Sequence, residues 1–390
     1  MSIKTVGWPV HDENECRAVH DVLVSGRTNY WTGNLCLDFE KEYAAFTGTR
    51  FAVALMNGTV ALEAALYALG IGPGDEVITS CRTFIASASC IVMCGATPVL
   101  ADVDENSQNI TAATILPCIT PKTKAIIVVH LAGWPADMDA ILALADQYQL
   151  KVIEDCAQAH GAQYKGKTVG SLGHVAAFSF CQDKIITTGG EGGMITTDDE
   201  TLWRKIWSLK DHGKNHGKVY QEQPVIGFRW VHDMFGTNWR MTEIQAAIGL
   251  QQLKKLPEWL RIRTRNADIL NEAFQHHHAL RLTIPPSDIV HAYYKYYVFI
   301  RPEYLKPEWN RDRIMQEVNQ RGVPCFAGIC SEIYLESAFK EANMHLAERK
   351  PVAKSLGETS LMLLVHPTLN DADMKHTAKT VLDVLSLAAV

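Results

Sequence analysis

From about residue 50 onward the chain alternates short β-branched runs with helical ones, and this alternation restricts the possible folds more than any other feature. "RFAVALMNG" reads as a strand and "VALEAALYALG" as the helix that follows, closed by Gly70. "DEVITS" and "TPVLADV" are strands flanking the apolar helix "FIASASCIVMCG"; then come the strand "KAIIVVHLAG", the helix "MDAILALADQYQ" and the strand "KVIEDCA". Strands that cross over through helices build a mostly parallel sheet, so the expected class is α/β.

Two more strands, "HVAAFSF" and "GGMITT", follow in quick succession before the helix "ETLWRKIWSLKDHG", whose Trp203 and Trp207 have the spacing of core residues. The stretch "MTEIQAAIGLQQLKKLPEWLRIRTRNADILNEAF" is helical with an interruption expected near Pro257, and it is long enough to bridge two domains. The strand "YYKYYVFIRP" and the helices "RDRIMQEVNQRG" and "DADMKHTAKTVLDVLSLA" then read as a small α+β domain. The organisation expected is an N-terminal arm over 1–30 carrying one helix, a large domain over 31–260 and a small C-terminal domain over 261–390.

A chain of 390 residues, 47% hydrophobic and 21% charged, can bury the core such a fold needs. Its formal charge of −6, without any lysine and arginine cluster, excludes nucleic acid and anionic membranes as expected partners. The longest apolar runs are too short to span a membrane and the N-terminus lacks a signal-like apolar core, so a cytoplasmic location is expected. Ten scattered cysteines without CxxC or Cys/His ligand spacing read as buried apolar residues, and no metal site is expected. The "HHH" run at 276–278 reads as solvated.

Three fragments carry chemistry. "NGT", where a strand opens into a helix, offers Gly58 and Thr59 to a phosphate, or Thr59 simply caps the helix. Asp155 in "VIEDCAQAHGA" stands at the carboxyl end of a strand, where open α/β sheets place their ligands. It either faces a protonated heterocycle nitrogen or caps a loop. Lys184 in "SFCQDKIITTGGEGGM" stands in a loop between strands beside a glycine cluster that would leave room for a ring. It is either solvated or forms a Schiff base with an aldehyde. Taken together, a phosphate site, a carboxylate for a pyridine nitrogen and a lysine for an aldehyde fit pyridoxal 5'-phosphate.

The motifs "NGTVALEAAL", "GDEVITSCRTF", "PVLADVD", "VIEDCAQAHGAQYKGKTVGSLG", "FSFCQDK", "GGEGGMITT" and "NWRMTEIQAAIGLQQL" resemble, in order, those of the DegT/StrS sugar-nucleotide aminotransferases. These are fold-type I pyridoxal-phosphate enzymes. The resemblance implies a seven-stranded, mostly parallel sheet sandwiched by helices plus the small α+β domain. It implies Lys184 as the residue bonded to the cofactor aldehyde and as proton shuttle, Asp155 on the pyridine nitrogen, and Phe84 stacked on the ring. Gln158 would sit near the phenolic oxygen, and Gly58, Thr59 and Ser179 would hold the phosphate. Asn238 would reach the phosphate of a neighbouring subunit, making the active unit a homodimer. The implied reaction moves an amino group from L-glutamate to a keto group of a nucleotide-linked sugar, at C3 or C4, by ping-pong kinetics.

Sugar dehydratases related to this family replace the lysine with histidine, so Lys184 favours transamination. A dehydratase or lyase, and a catalytically silent sensor of cofactor or sugar nucleotide, are the alternatives. A nicotinamide dehydrogenase is disfavoured, because "GGEGG" precedes a strand instead of opening a helix. Departures from the family cluster on the substrate side: "HLAGWPADMD" with Ala132 and Trp134, "KDHG", and "CFAGICSEIYLESAF". His130, Trp134, His212, Trp239, Arg240 and Tyr334 are the residues expected to line the sugar or nucleotide pocket, with core packing or surface as the other reading of each.

Overall fold

The computed structural model describes residues 7–220, 227–344 and 346–390; the first six residues of the expected arm lie outside these. Seven strands form the main sheet: β1 (Phe51–Leu55), β2 (Glu76–Ser80), β3 (Thr97–Ala101), β4 (Thr123–Val129), β5 (Lys151–Asp155), β6 (Val175–Ser179) and β7 (Gly193–Thr197). Their spatial order is β1-β7-β6-β5-β4-β2-β3. All pairings are parallel except those of β7, which runs antiparallel to both β1 and β6. This is the expected α/β class, with helices on both faces.

The strands read as near-continuous apolar runs because helices cover both sides of the sheet. Alternate residues go to opposite faces: Val53, Leu55, Ile127, Ile153 and Ile195 pack with the helices α3 (Gly58–Ala68), α4 (Ala86–Met93) and α6 (Glu200–Lys210). Ala52, Ala54, Ala176, Phe178 and Met194 pack on the other face with α2 (Leu35–Thr47) and α7 (Glu243–Phe274). The helix α5 (Met138–Gln147) covers the remainder of that face through Met138 and Ile141 on Ile126 and Val128. Trp207 is core and Trp203 stacks on Phe51 at 4.9 Å, as their spacing implied.

Local chemistry fixes α3, the helix that matters most for the site. Asn57 caps it by accepting the Val60 amide, and its Ala- and Leu-rich body buries Ala61, Leu62, Ala64, Ala65 and Leu66. It stops at Gly70, whose φ of 78° is the left-handed conformation that favours glycine.

Two expectations need correcting. α7 is not interrupted at Pro257 but runs unbroken from Glu243 to Phe274. The missing amide costs a helix about 3 kcal/mol, and Leu253, Leu256, Trp259 and Leu270, buried on either side of it, hold the helix together. The other correction concerns the glycine cluster, in which Gly189, Gly192 and Gly193 serve close packing more than room for a ring. A Cβ on Gly192 would meet Thr188 Oγ1 at 2.0 Å, and one on Gly193 would meet the Asn57 carbonyl at 2.3 Å. Gly193 serves close backbone packing against the start of α3, Gly192 packs on Thr188 and Gly189 on Ile248, and of the four only Gly190 has open space beside it.

Past α7, a four-stranded antiparallel sheet joins Leu280–Arg281, Tyr296–Ile300, Ser360–Leu363 and Cys325–Phe326 in that order. The helices Arg311–Gln320 and Asp371–Ala388 bury Ile314, Val318, Val381 and Leu385 against it. A small third sheet pairs Gln163–Tyr164 with Lys167–Thr168 and with Ile289–Val290. At the other end of the chain, Trp8 donates its indole N–H to the Lys184 carbonyl at 2.7 Å while packing edge-on against Trp259. Among the described residues no helix is long and apolar enough to cross a membrane.

Candidate active site

The carboxyl ends of β1, β4, β5 and β6 share one edge of the sheet, and a cavity of about 600 Å³ opens there. Gly58, Thr59, Phe84, Asp155, Gln158, Ser179 and Lys184 all line it, although they come from four separate stretches of chain. Open α/β sheets bind ligands at this edge because strand ends and helix starts converge there.

Asp155 is the last residue of β5 and is buried. Ser87 Oγ donates to its Oδ2 at 2.8 Å and the Ala157 amide to its Oδ1 at 3.2 Å. Burial still pushes this carboxyl above the ordinary carboxylate range, against the Ser87 and Ala157 hydrogen bonds and the Lys184 charge, which pull it down. A buried acid in this state is complementary to a cationic N–H. Ser87, in the first turn of α4, is not among the sequence-expected residues; its hydroxyl lies 2.9 Å from that of Thr83 in the loop before the helix.

The neighbouring carboxylate is saturated. Glu154 accepts from the amides of Gly170, Leu172 and Gly173 and from His130 Nε2 at 3.0 Å. The Ala136 amide donates to His130 Nδ1, so the ring proton sits on Nε2 and points at Glu154. Cys156 lies close to both, and its thiol is pushed well up by burial. With four donors on Glu154 and both ring nitrogens of His130 engaged, this cluster is a structural support under β4 and β5.

Gly58 begins α3 against Ser179, where a Cβ would stand 2.6 Å from the serine Cβ. The amides of Gly58 and Thr59 precede the first intrahelical hydrogen bond, so they are donors suited to an anion. Behind them His160 bridges Tyr43 and the Ser179 carbonyl at 2.7 and 2.9 Å, and burial drives its pKa down to about 3, keeping it neutral. Gln158 Oε1 accepts the Ala132 amide at 2.8 Å, which leaves its NH2 group for the cavity. Phe84 is 63% exposed despite its apolar ring, a face available for stacking. Free helix-start amides beside a serine, an uncovered aromatic face, a buried acid and a lysine thus meet in one cavity, and residues of this chemistry fit pyridoxal phosphate.

Lys184 lies in the loop between β6 and β7. Its Nζ is 3.5 Å from the Tyr294 hydroxyl and 3.4 Å from Asp183 Oδ1. Tyr294, Asp183 and Asn57 also line the cavity and are absent from the sequence-based expectation. Tyr294 lies 110 residues from Lys184, a distance over which no local spacing signals contact.

None of the residues expected on the sugar side lines this cavity. His130, Trp134 and Tyr334 are buried: His130 on Glu154, Trp134 edge-on to His291 at 5.6 Å, and Tyr334 hydrogen-bonded to Glu332 and the Lys350 amide. Arg240 pairs with Asp211 at 2.7 Å, and Trp239 packs on the core beneath α6. His212 and Asn238 are exposed at the surface, Asn238 bridging Asp211 through the backbone.

The sequence pattern of the DegT/DnrJ/EryC1/StrS aminotransferase family matches residues 9–382. The chain is 40% identical over 376 residues to the GDP-perosamine synthase of Caulobacter vibrioides, covering 95% of each. It is 38% identical over 354 residues to the UDP-N-acetyl-3-dehydro-alpha-D-glucosamine 3-aminotransferase of Acidithiobacillus ferrooxidans, covering 90% of this chain and 88% of that protein. A solved aminotransferase from Psychrobacter cryohalolentis superposes with a TM-score of 0.96 at 53% identity, over 98% of each chain.

Proposed function

The chain belongs to the DegT/DnrJ/EryC1/StrS aminotransferase family, and on that premise we propose that it transfers an amino group from L-glutamate to a keto group of a nucleotide-linked sugar. Two of its relatives are named for such sugars, one GDP-linked and one UDP-linked. The observation that carries the reading is the single cavity in which Lys184, Asp155, Phe84, Gly58 and Ser179 meet.

Pyridoxal phosphate, when bound, supplies an aldehyde that takes up the amino group and a pyridinium ring that stores the electrons released when a proton leaves carbon. In this reading the residues of the cavity divide the work as follows. The Gly58 and Thr59 amides and the Ser179 hydroxyl hold the phosphate. Asp155, oriented by Ser87, keeps the ring nitrogen protonated, and its own charge is in turn stabilised by that nitrogen. Phe84 would stack on the ring, and the Gln158 amide would be the donor for its phenolic oxygen. Lys184 would be the residue that bonds the aldehyde, and its amine, once free, would be the base that moves the donor's α-proton. The same groups act in the opposite sense on the keto sugar. The active unit in this reading is a homodimer, with Asn238 of one chain serving the site of the other.

An absorbance spectrum of the purified protein with pyridoxal phosphate, before and after L-glutamate, tests this. The expected result is a visible band that bleaches with glutamate and releases one equivalent of keto acid. Lys184→Ala is expected to lack the resting band and to transfer amine roughly a thousandfold more slowly. A wild-type protein without a band in excess cofactor would overturn the reading.

A further inference from the structure

The Lys184 amine, the Tyr294 hydroxyl and the Asp183 carboxylate close a ring of contacts. Nζ reaches the Tyr294 hydroxyl oxygen at 3.5 Å and Asp183 Oδ1 at 3.4 Å, while the Tyr294 O–H donates to Asp183 Oδ2. The tyrosine therefore pins the carboxylate by one oxygen and leaves the other turned to the amine. The ammonium also lies 5.1 Å from the centre of the Tyr294 ring, within the range of cation–π attraction.

We infer that Asp183 and Tyr294 form a holding site for the protonated Lys184 side chain, and that these two positioning residues set how readily the lysine gives up its proton to become a nucleophile and base. This rests on the reading of Lys184 as the residue that bonds an aldehyde. Such a lysine must be released from the aldehyde whenever an amine substrate takes its place, and a free ammonium inside a cavity needs an acceptor for its protons. Asp183 Oδ1 and the tyrosine oxygen are the acceptors within reach.

The other charges facing this amine argue for the same assignment. Asp155 bears on Lys184 from the floor of the cavity, but it is committed to Ser87 and the Ala157 amide. His160 is neutral, and Glu191 lines the cavity on the far side of the lysine loop. Lys295 and Arg263 are cationic neighbours, lowered by burial to about 8 and about 9, and they disfavour a second positive charge. Asp183 is the acid that offsets them. Burial raises its carboxyl, yet the Lys184 charge, the Tyr294 hydrogen bond and Lys295 outweigh burial and hold it below the ordinary carboxylate range. The Tyr294 hydroxyl is pushed up by burial and then by Asp183, so it stays protonated and acts as a donor to the carboxylate.

An anion beside an amine favours the charged form, so removing that anion lowers the pH at which the amine becomes nucleophilic. The test is the rate at which full-length protein, stripped of cofactor, captures added pyridoxal phosphate, followed by absorbance from pH 6 to 10. Asp183→Asn is expected to move the midpoint of this profile down by about one unit, making capture below both midpoints roughly tenfold faster. Asp183→Glu should restore the wild-type midpoint. Tyr294→Phe should shift it in the same direction as Asp183→Asn, because the amine then loses the hydroxyl acceptor and the carboxylate loses the donor that fixes it; the double variant should shift by less than the sum of the two, because the groups share these contacts. Quantifying formaldehyde labelling of the Lys184 peptide by mass spectrometry gives the same midpoint without the cofactor. Unchanged midpoints in well-folded variants that still form the visible band would overturn the holding site and leave the proposed function standing. A wild type that forms no band would remove both.

Discussion

Asp155 stands at the cavity as a buried acid, held by the Ser87 hydroxyl and the Ala157 amide. Burial raises its carboxyl, and Ser87 and Ala157 offset only part of that effect. The linkage has a definite sign. A group whose folded pKa lies above its unfolded value contributes stability at pH below the unfolded carboxylate value, and loses it as pH rises through the folded value. At neutral pH, then, the charged Asp155 weakens the cofactor-free fold, and a cationic ring nitrogen removes the penalty. Asp155→Asn should leave the cofactor-free protein melting at the same or a higher temperature at pH 7 than the wild type. Saturating pyridoxal phosphate should raise the wild-type Tm well beyond the rise seen in the variant, whose amine transfer should fall by roughly a hundredfold or more. Thermal melts of both proteins with and without cofactor check this; equal cofactor shifts in the two would mean that Asp155 does not face the ring nitrogen.

At the scale of elements, the site depends on how closely β7 passes the start of α3. Gly193 lies so near the Asn57 carbonyl that an added methyl would sit 2.3 Å from it. Gly193→Ala should therefore displace Asn57 and the Gly58 amide, costing about 1–3 kcal/mol of stability and loosening the phosphate cradle. Urea unfolding together with a titration of cofactor binding reads both effects, and unchanged binding would detach the cradle from this contact. The same elements show what a sequence can display. β4 to β7 were legible because burial on both faces leaves an apolar run, and Asp155 and Lys184 because each breaks such a run with a charge at its end. α2 and the strands Gln163–Tyr164, Lys167–Thr168 and Ile289–Val290 were not, since two-residue strands have no periodicity and exist only through their pairing. Trp134 and Tyr334 are open to pocket and core readings alike, because an aromatic in an irregular stretch looks the same in sequence whether it meets a ligand or the core. Pro257 misled for the converse reason: tertiary packing on both sides overrode a local preference.

For the whole molecule, the segment leading to Asn238 carries an unusual surface. Phe228, Trp230 and Phe235 are 75%, 80% and 101% exposed, and such a group of aromatics is the kind of patch that protein interfaces cover. Asn238 lies just beyond it, exposed and away from the cavity of its own chain, as a residue serving a neighbouring site would be. If the sites are shared in this way, complementation between defective chains follows from symmetry. A chain with Lys184→Ala keeps a sound Asn238, and a chain with Asn238→Ala keeps a sound Lys184. In a mixed dimer one site receives the intact lysine of one chain and the intact asparagine of the other, while the second site receives both defects. Random reassociation of equal amounts makes half of the dimers mixed, each with one sound site of two, so activity should rise to about a quarter of wild type above any residual activity of the parents. Sites contained within single chains would instead leave the mixture at the mean of the two variants, because neither chain can repair the other.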